Sequence, residues 1–357
     1  MIFDLFGSSK RRNRELLSAA RSGDSQEIEQ LIAKGADLNC RDEVSGDTPL
    51  LAALDKEKWQ AAETLLEMQP DLGLQDVNGN TPLFLLASKG DAHLPLLQQL
   101  ISAGAPIGKG PLSGGNAGAT PLHTACAVGA NKCVSLLLKH GADTRAAMES
   151  GTEPIHSAAI GGTGKTVDLL ISAGADADAT NAEGCTPIHY CAISGNASVA
   201  RTLIRHGARL ELLDRDGYTP LGRALIRNNG QIAKVLLEGG ADPNIGIRTP
   251  DSELHPLQLT VINGHLPLVK LLIESGSDPA VLGTQMPSLI TMAEHKGHHA
   301  ITRYLRSRGL VDNPGSEAEK RGRQASASSD SKSASMIRFI VTPDGRLLNR
   351  HSSLFFC

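Results

Sequence analysis

Short apolar runs alternate along this chain with polar breaks marked by glycine, and the alternation is periodic. The runs come in pairs. In the first of a pair, small and apolar residues recur at helical spacing, as at Leu122, Ala125 and Cys126. The second carries a leucine-rich face, as in Val134-Ser-Leu-Leu-Leu138. Apolar residues three and four positions apart share one helix face, so each run predicts a short amphipathic helix. Thr48-Pro-Leu, Thr81-Pro-Leu, Thr120-Pro-Leu-His, Thr186-Pro-Ile-His and Thr219-Pro-Leu open the first helices, with Glu153-Pro-Ile-His as a variant. Threonine caps a helix N-terminus, and proline suits the first helical position because its missing N–H would be unpaired there anyway. Gly90, Gly129, Gly195, Gly264 and Gly297 predict the end of the first helix; Gly35, Gly141, Gly174 and Gly240, each followed by Ala-Asp, predict the end of the second.

Most of these units are 33 residues long, and the step from Thr81 to Thr120 is 39. Further units begin near His255 and Ser288, and a degenerate one near Arg14, with Leu16, Ala19, Ala20 and Gly23 in register. A single pair of such short helices cannot bury its apolar stripe, whereas stacked pairs share a continuous core. The expected fold class is therefore an all-α repeat solenoid of about nine stacked helix–turn–helix units. The Thr-Pro-Leu-His and Gly-Ala-Asp elements resemble the ankyrin repeat family over roughly residues 12 to 310. That resemblance implies projecting β-turns, an L-shaped section, a concave face, and a role in binding other proteins. It also implies a structural hydrogen-bonding role for His123, His156 and His189, which recur once per repeat. The first unit lacks Thr-Pro, and the last has Ser288-Leu-Ile and a basic second helix. Polar end units are what an open solenoid requires.

The expected organisation is an N-terminal segment 1–11, an array 12–312, a flexible linker 313–335 and a strand-forming segment 336–357. Six extra residues are placed around 106–116 and three near 246–252, either as binding elements or as tolerated loop drift. Residues 314–335 are mostly Ser, Ala, Lys, Arg, Gly and Glu without apolar periodicity, the composition of a linker. Met336-Ile-Arg-Phe-Ile-Val341, followed by Thr342-Pro-Asp-Gly345, predicts a short hairpin or strand. It either docks on a partner or folds back on its own array. Arg323-Gln-Ala-Ser326 is a weak phosphorylation motif.

Composition narrows the function classes. The 357 residues have a formal net charge of −3, which gives no field to attract nucleic acid. No apolar stretch reaches the length of a membrane span, and Lys10-Arg-Arg-Asn-Arg14 follows the apolar start where a secretory leader would need it to precede. Six cysteines without a CxxC pair read as small buried thiols of a reducing, cytoplasmic compartment. Ala159-Ile-Gly-Gly-Thr-Gly-Lys165-Thr166 approaches a phosphate-binding loop, but that loop needs a preceding buried strand and here follows a repeat's first helix. His295, His298 and His299 lack the further ligands of a zinc site and read as a polar cap. No nucleophile–base–orienter set emerges. The expectation is a non-enzymatic chain with no cofactor and no metal.

A partner surface is placed by aligning the units. The position two after the first small residue of the pair reads Ala127, Ile160, Ile193, Ile226 and Ile262. Tyr190, Arg223 and Arg227 flank it on first helices, and Arg215 and Tyr218 sit at a turn tip. An apolar strip with Tyr and Arg beside it has the composition of an interface centre. The competing reading is that the isoleucines fill grooves between helices. The main expectation is a monomeric adaptor or scaffold that captures another protein on the concave face. The alternative is a recruitment module of a secreted or regulatory effector whose C-terminal tail docks to a second partner.

Overall fold

In a computed structural model of the chain, residues 2–111, 114–248, 253–279 and 288–310 are described. The expected linker 313–335, the strand-forming segment 336–357 and Ser326 lie outside the described residues. What is described contains nine successive helix pairs. They are α1 (Ile2–Ser22) with α2 (Ser25–Ala33), α3 (Pro49–Asp55) with α4 (Trp59–Glu67), α5 (Pro82–Ser88) with α6 (Leu94–Ser102), α7 (Pro121–Ala127) with α8 (Asn131–Lys139), and α9 (Pro154–Gly161) with α10 (Gly164–Ser172). Then follow α11 (Pro187–Ser194) with α12 (Ala197–Arg205), α13 (Pro220–Ile226) with α14 (Gly230–Glu238), α15 (Pro256–Ile262) with α16 (Leu266–Glu274), and α17 (Leu289–His295) with α18 (His299–Ser307). Contacts gather them into two units, one built chiefly from α1–α10 and one from α11–α18. In the first, α1, α3, α5, α7 and α9 pack on one another in order; in the second, α11, α13, α15 and α17 do the same. This is an all-α repeat solenoid, as the periodicity predicts. Helix α1 already begins at Ile2, so residues 2–11 continue a helix where the sequence reading set them apart.

The caps form as the residue types dictate. The hydroxyls of Thr48, Thr81, Thr219 and Ser288 accept from the backbone N–H three residues on, at 3.1–3.3 Å. Gly195 ends α11 in the left-handed region at φ 85°. After the second helices, the carboxylates of Asp37, Asp71, Asp143, Asp176 and Asp242 accept from the N–H two residues later, at 2.8–2.9 Å. This Asx turn explains why Asp recurs after Gly-Ala.

Small residues set the spacing of the first helices. Ala125, Cys126, Ala158 and Ala159 are fully buried. The approach of α9 to α7 is close enough that a Cβ on Gly161 would lie 2.2 Å from the Ala127 carbonyl oxygen. One on Gly162 would meet the Cys126 oxygen at 2.8 Å. Two kinds of polar link then tie neighbouring repeats together. His123 Nδ1 accepts from the Thr120 N–H at 3.0 Å, which leaves the proton on Nε2 to donate to the Thr152 carbonyl of the next repeat at 3.1 Å. His156 reaches Ala179 and His189 reaches Tyr218 in the same way, each at 3.0 Å. The projecting turns also bond tip to tip: Val77 N–H to Ser45 O, Glu149 to Ala117, Ala182 to Ser150 and Arg215 to Glu183, at 2.9–3.0 Å.

The insertions fall partly elsewhere than the sequence reading places them. Helices α5 and α6 start 12 residues apart, where α7 and α8 start 10 apart. Two of the six extra residues therefore belong to a 3-10 turn, Gly90–His93, ahead of α6. Its His93 ring stacks on Trp59, with centroids 3.7 Å apart, and its Asp91 carboxylate accepts from the Cys133 N–H at 2.9 Å. The remaining four extend the loop between α6 and α7. At the insertion near 246–252, two short strands pair antiparallel, β1 (Ile247–Arg248) and β2 (Glu253–Leu254).

Two stability measurements test this framework. Gly161→Ala should cost about 3 kcal/mol in urea unfolding through overpacking. Gly174→Ala should cost only about 1 kcal/mol, because its φ of +96° strains an alanine but nothing lies within 4 Å. Equal costs would contradict the close approach of α7 and α9. The second test is pH. Burial holds the His123 imidazole neutral, lowering its pKa to about 4. As pH falls through about 6.5 the unfolded chain takes up the proton first. The stabilisation is therefore complete above about 6.5 and lost on the way down to about 4. The melting temperature should fall over that window. His123→Gln should flatten the fall, because glutamine keeps the cap bond, as Gln258 does with the His255 N–H at 2.9 Å. An unchanged slope in the variant would remove His123 from the effect.

Candidate protein-binding surface

In the seven first helices that open on an N1 proline, the sixth residue after it falls at the same place, near the helix C-terminus. In the second unit this position holds Ile193, Ile226 and Ile262, on α11, α13 and α15; all three are half-buried. Helix α13 packs between the other two, so one apolar side chain per helix meets solvent along three consecutive repeats. In the first unit the position holds Ala127, half-buried on α7, and Ile160 on α9, 50% exposed. Ile160 is also the residue before the close-packed Gly161, so its helix is pinned directly beneath it.

The flanking residues divide into supports and exposed groups. Tyr190 is buried, at 8% exposure. Arg223 runs back along its repeat's turn: its guanidinium donates to Asp214, at 2.5 Å, and to Asp216, at 2.8 Å, and lies 4.6 Å from the centre of the Tyr218 ring. Asp214 has a wholly buried carboxylate whose other oxygen accepts from the Asp216 and Tyr218 N–H groups at 3.0 and 2.9 Å. Burial acts to lower the Arg223 pKa, but Asp214 and Asp216 outweigh it and raise it above the ordinary value. Burial likewise raises the Tyr218 phenol. The cluster Asp214–Arg223–Asp216–Tyr218 therefore shapes the turn from within. Arg215 and Arg227 are exposed; Arg215 forms a loose ion pair with Glu183 at 3.6 Å.

Apolar groups that the alignment does not single out are also exposed: Val44 and Val77 on turn tips, Leu213 on a turn and Val128 after α7. A sequence signal exists for Val77, since a valine between Asp76 and Asn78 in a turn otherwise made of Asp, Asn and Gly is out of place. The resemblance to a phosphate-binding loop dissolves in the geometry. Helix α9 precedes it, the turn shrinks to Gly162 and Thr163, and the hydroxyls of Thr163 and Thr166 reach Asn131 Oδ1 at 3.0 and 2.9 Å. His298 Nε2 lies 3.0 Å from the Ile262 carbonyl, in a structural contact. Among the described residues, no group of three or more His, Cys, Asp or Glu side chains is arranged to hold a metal. Burial raises the thiols of Cys40 and Cys133 to about 12, and those of Cys126 and Cys191 higher still, so they behave as small core residues. No helix among the described residues is long and apolar enough to cross a membrane.

Comparison with known proteins agrees with this architecture. The family model for ankyrin repeats matches three times, at residues 16–110, 85–181 and 155–247. Inversin from Gallus gallus is 31% identical over 128 residues, covering 36% of this chain and 11% of that protein. The 2-5A-dependent ribonuclease from Homo sapiens is 34% identical over 82 residues, 23% of this chain and 11% of the relative. Protein PhlB from Serratia liquefaciens is 37% identical over 75 residues, 21% of this chain and 33% of the relative. The matched segments thus span a third or less of the length of each relative. With the matched repeats running from residue 16 to 247 through stacked helix pairs, this chain belongs to the ankyrin repeat family, a family of protein–protein interaction modules.

Proposed function

We propose that the chain is a non-enzymatic cytoplasmic adaptor or scaffold that captures a partner protein on the first-helix face carrying Ile193, Ile226 and Ile262. That face is the concave one in the family's geometry. Ile160 and Ala127 occupy the same helical position in the first unit, and the exposed Arg215 and Arg227 supply the polar edge beside the half-buried Tyr218. The observation that carries the reading is the recurrence of a part-exposed isoleucine at one helical position in three consecutive repeats. A branched apolar side chain held by a rigid helix loses little entropy on contact, which is how a preformed surface gains affinity. Arg223 and Tyr190 act as supports from beneath. The C-terminal segment 336–357 serves as a second contact, or as the docking tail of a regulatory effector that uses the array for recruitment.

Quantitative affinity capture followed by mass spectrometry tests this with wild type, Ile193→Asp/Ile226→Asp, and a truncation after Asp312. A partner retained by wild type should be lost by the double variant while its circular dichroism is unchanged. Loss by the truncation alone would make the tail the docking element. Capture that neither change affects would refute both sites. The arginines separate in stability: Arg223→Ala should cost about 3 kcal/mol by stranding a buried Asp214, and Arg227→Ala less than about 0.5 kcal/mol. Equal effects would contradict the division into support and edge.

A further inference from the structure

The tip-to-tip bonding of the projecting turns has a gap in the first unit. Val77 N–H bonds to Ser45 O, and beyond the gap Glu149 bonds to Ala117 and Ala182 to Ser150. By register, the missing bond would run from the Asn116 N–H to the Asn78 carbonyl. Among the described residues no such bond is present. The four extra loop residues are the cause. They carry the chain so that Gly118 N–H donates to the Pro111 carbonyl at 2.8 Å. They also bring Gly110 against the neighbouring backbone, where a Cβ would meet the Ala119 oxygen at 2.1 Å. Side chains partly substitute for the ladder: Gln75 Nε2 donates to the Gly79 and Gly110 carbonyls at 2.6 and 2.8 Å.

Beside the gap lies an open groove of about 340 Å³, lined by Arg41, Leu74, Gln75, Val77 and Lys109 among others. Its charges are unbalanced. Arg41 donates to the Gln75 and Gly46 carbonyls, and Lys109 Nζ to the Gly73 carbonyl at 2.8 Å. Neither cation has a carboxylate partner among the described residues. The lining carboxylate, Asp76, is committed to the Asn78 and Asn80 N–H groups and the Asn80 amide at 2.7–2.8 Å. Val77 is 63% exposed at the rim, and Val44 on the adjoining tip is 86% exposed.

We propose that this gap binds an extended peptide segment of a partner protein. A carboxylate side chain of the peptide takes the donors of Arg41 and Lys109. An apolar side chain beside it covers Val77, and the peptide's main chain pairs with the open Asn78 carbonyl. An open edge of unpaired backbone groups is a template for strand addition, with side-chain pockets supplying selectivity. Two cations now bonded to neutral carbonyls would exchange them for stronger, charge-assisted bonds. The valines and the open backbone acceptor favour a peptide over a bare anion. This site shares no residue with the isoleucine surface and stands or falls without it.

Peptide display against the full chain tests the proposal, with an enriched peptide then titrated by fluorescence anisotropy. Enriched sequences should place Asp or Glu next to an apolar residue. Arg41→Gln/Lys109→Gln should weaken the chosen peptide about tenfold or more, with an unchanged melting temperature. Arg41→Glu/Lys109→Glu should prefer the version of that peptide with Lys in place of its acid. Ile193→Asp/Ile226→Asp should leave the affinity unchanged. The proposal is overturned if nothing is enriched, if the enriched peptides carry no acid, or if the charge variants bind equally well. Full displacement of the peptide by millimolar inorganic phosphate would also overturn it, in favour of a simple anion site.

Discussion

A helix of seven to nine residues is too short to persist alone in water, because nucleation fixes several residues before the first hydrogen bonds offset the cost. Apart from α1, every helix here is of that length. Each exists because a neighbour covers its apolar face, and that dependence orders the rest of the structure. It selects Ala, Cys and Gly at the faces of α7 and α9, where a Cβ on Gly161 would reach a backbone oxygen. It also demands polar links that register one repeat on the next. The histidines of the first helices supply these through two bonds each, one to their own cap and one to the following repeat. A group that bridges two repeats and must stay neutral to do so makes the stacking itself sensitive to acid.

The same dependence explains where the chain tolerates change. The six extra residues of the third repeat avoid both helices. Two lengthen the turn between them and four lengthen the outgoing loop. The helix-to-helix packing is left intact, and the cost appears only in the outer ladder, where one turn-to-turn bond is missing. Asp91 and His93 give the longer turn its own anchors, on the N-terminus of α8 and on Trp59. The loop finds its anchors in Gln75 and Lys109. What would be a defect in a core is a recess at a surface.

Much of the framework was legible in the sequence, because it repeats. Thr-Pro marks five of the nine first helices, and Gly-Ala-Asp marks four of the exit turns. The sequence also carries a marker for where the insertion lies. His93-Leu-Pro-Leu96 repeats as His265-Leu-Pro-Leu268, and Pro267 stands in the first turn of α16. Pro95 therefore marks the start of α6 and puts two extra residues before it. The near match to a phosphate-binding loop at 159–166 is set aside already by the helix that precedes it, and the structure shows its glycines Gly161 and Gly162 serving helix contact. The candidate surface was legible only in part. The alignment identified Ile193, Ile226 and Ile262, but it counted Arg223 with Arg227. Only the fold shows that Asp214 and Asp216 hold the first of these and leave the second exposed. The pairing spans a turn and a helix, and nothing in the spacing of charges along the chain encodes it.

Residues that depart from the framework carry the information about partners, because the framework is fixed by packing alone. A repeat needs an Ala pair, a capping Thr and a turn Asp; it has no need of an isoleucine half in solvent, nor of a valine between Asp and Asn at a turn tip. Such side chains expose apolar area that folding could have covered with a polar residue at no cost to the stack. Two places in this chain stand out for such departures: the first-helix termini of α11, α13 and α15, and the turn tips of the second and third repeats, with Val128, Ile160 and Leu213 lying outside them. At the second place the departure includes the backbone, through the missing ladder bond, and the charge, through two unbalanced cations. Apolar exposure, an open main-chain edge and uncompensated charge have different physical origins. Their meeting at one recess is difficult to attribute to drift in a loop, which would disturb one of them without assembling all three.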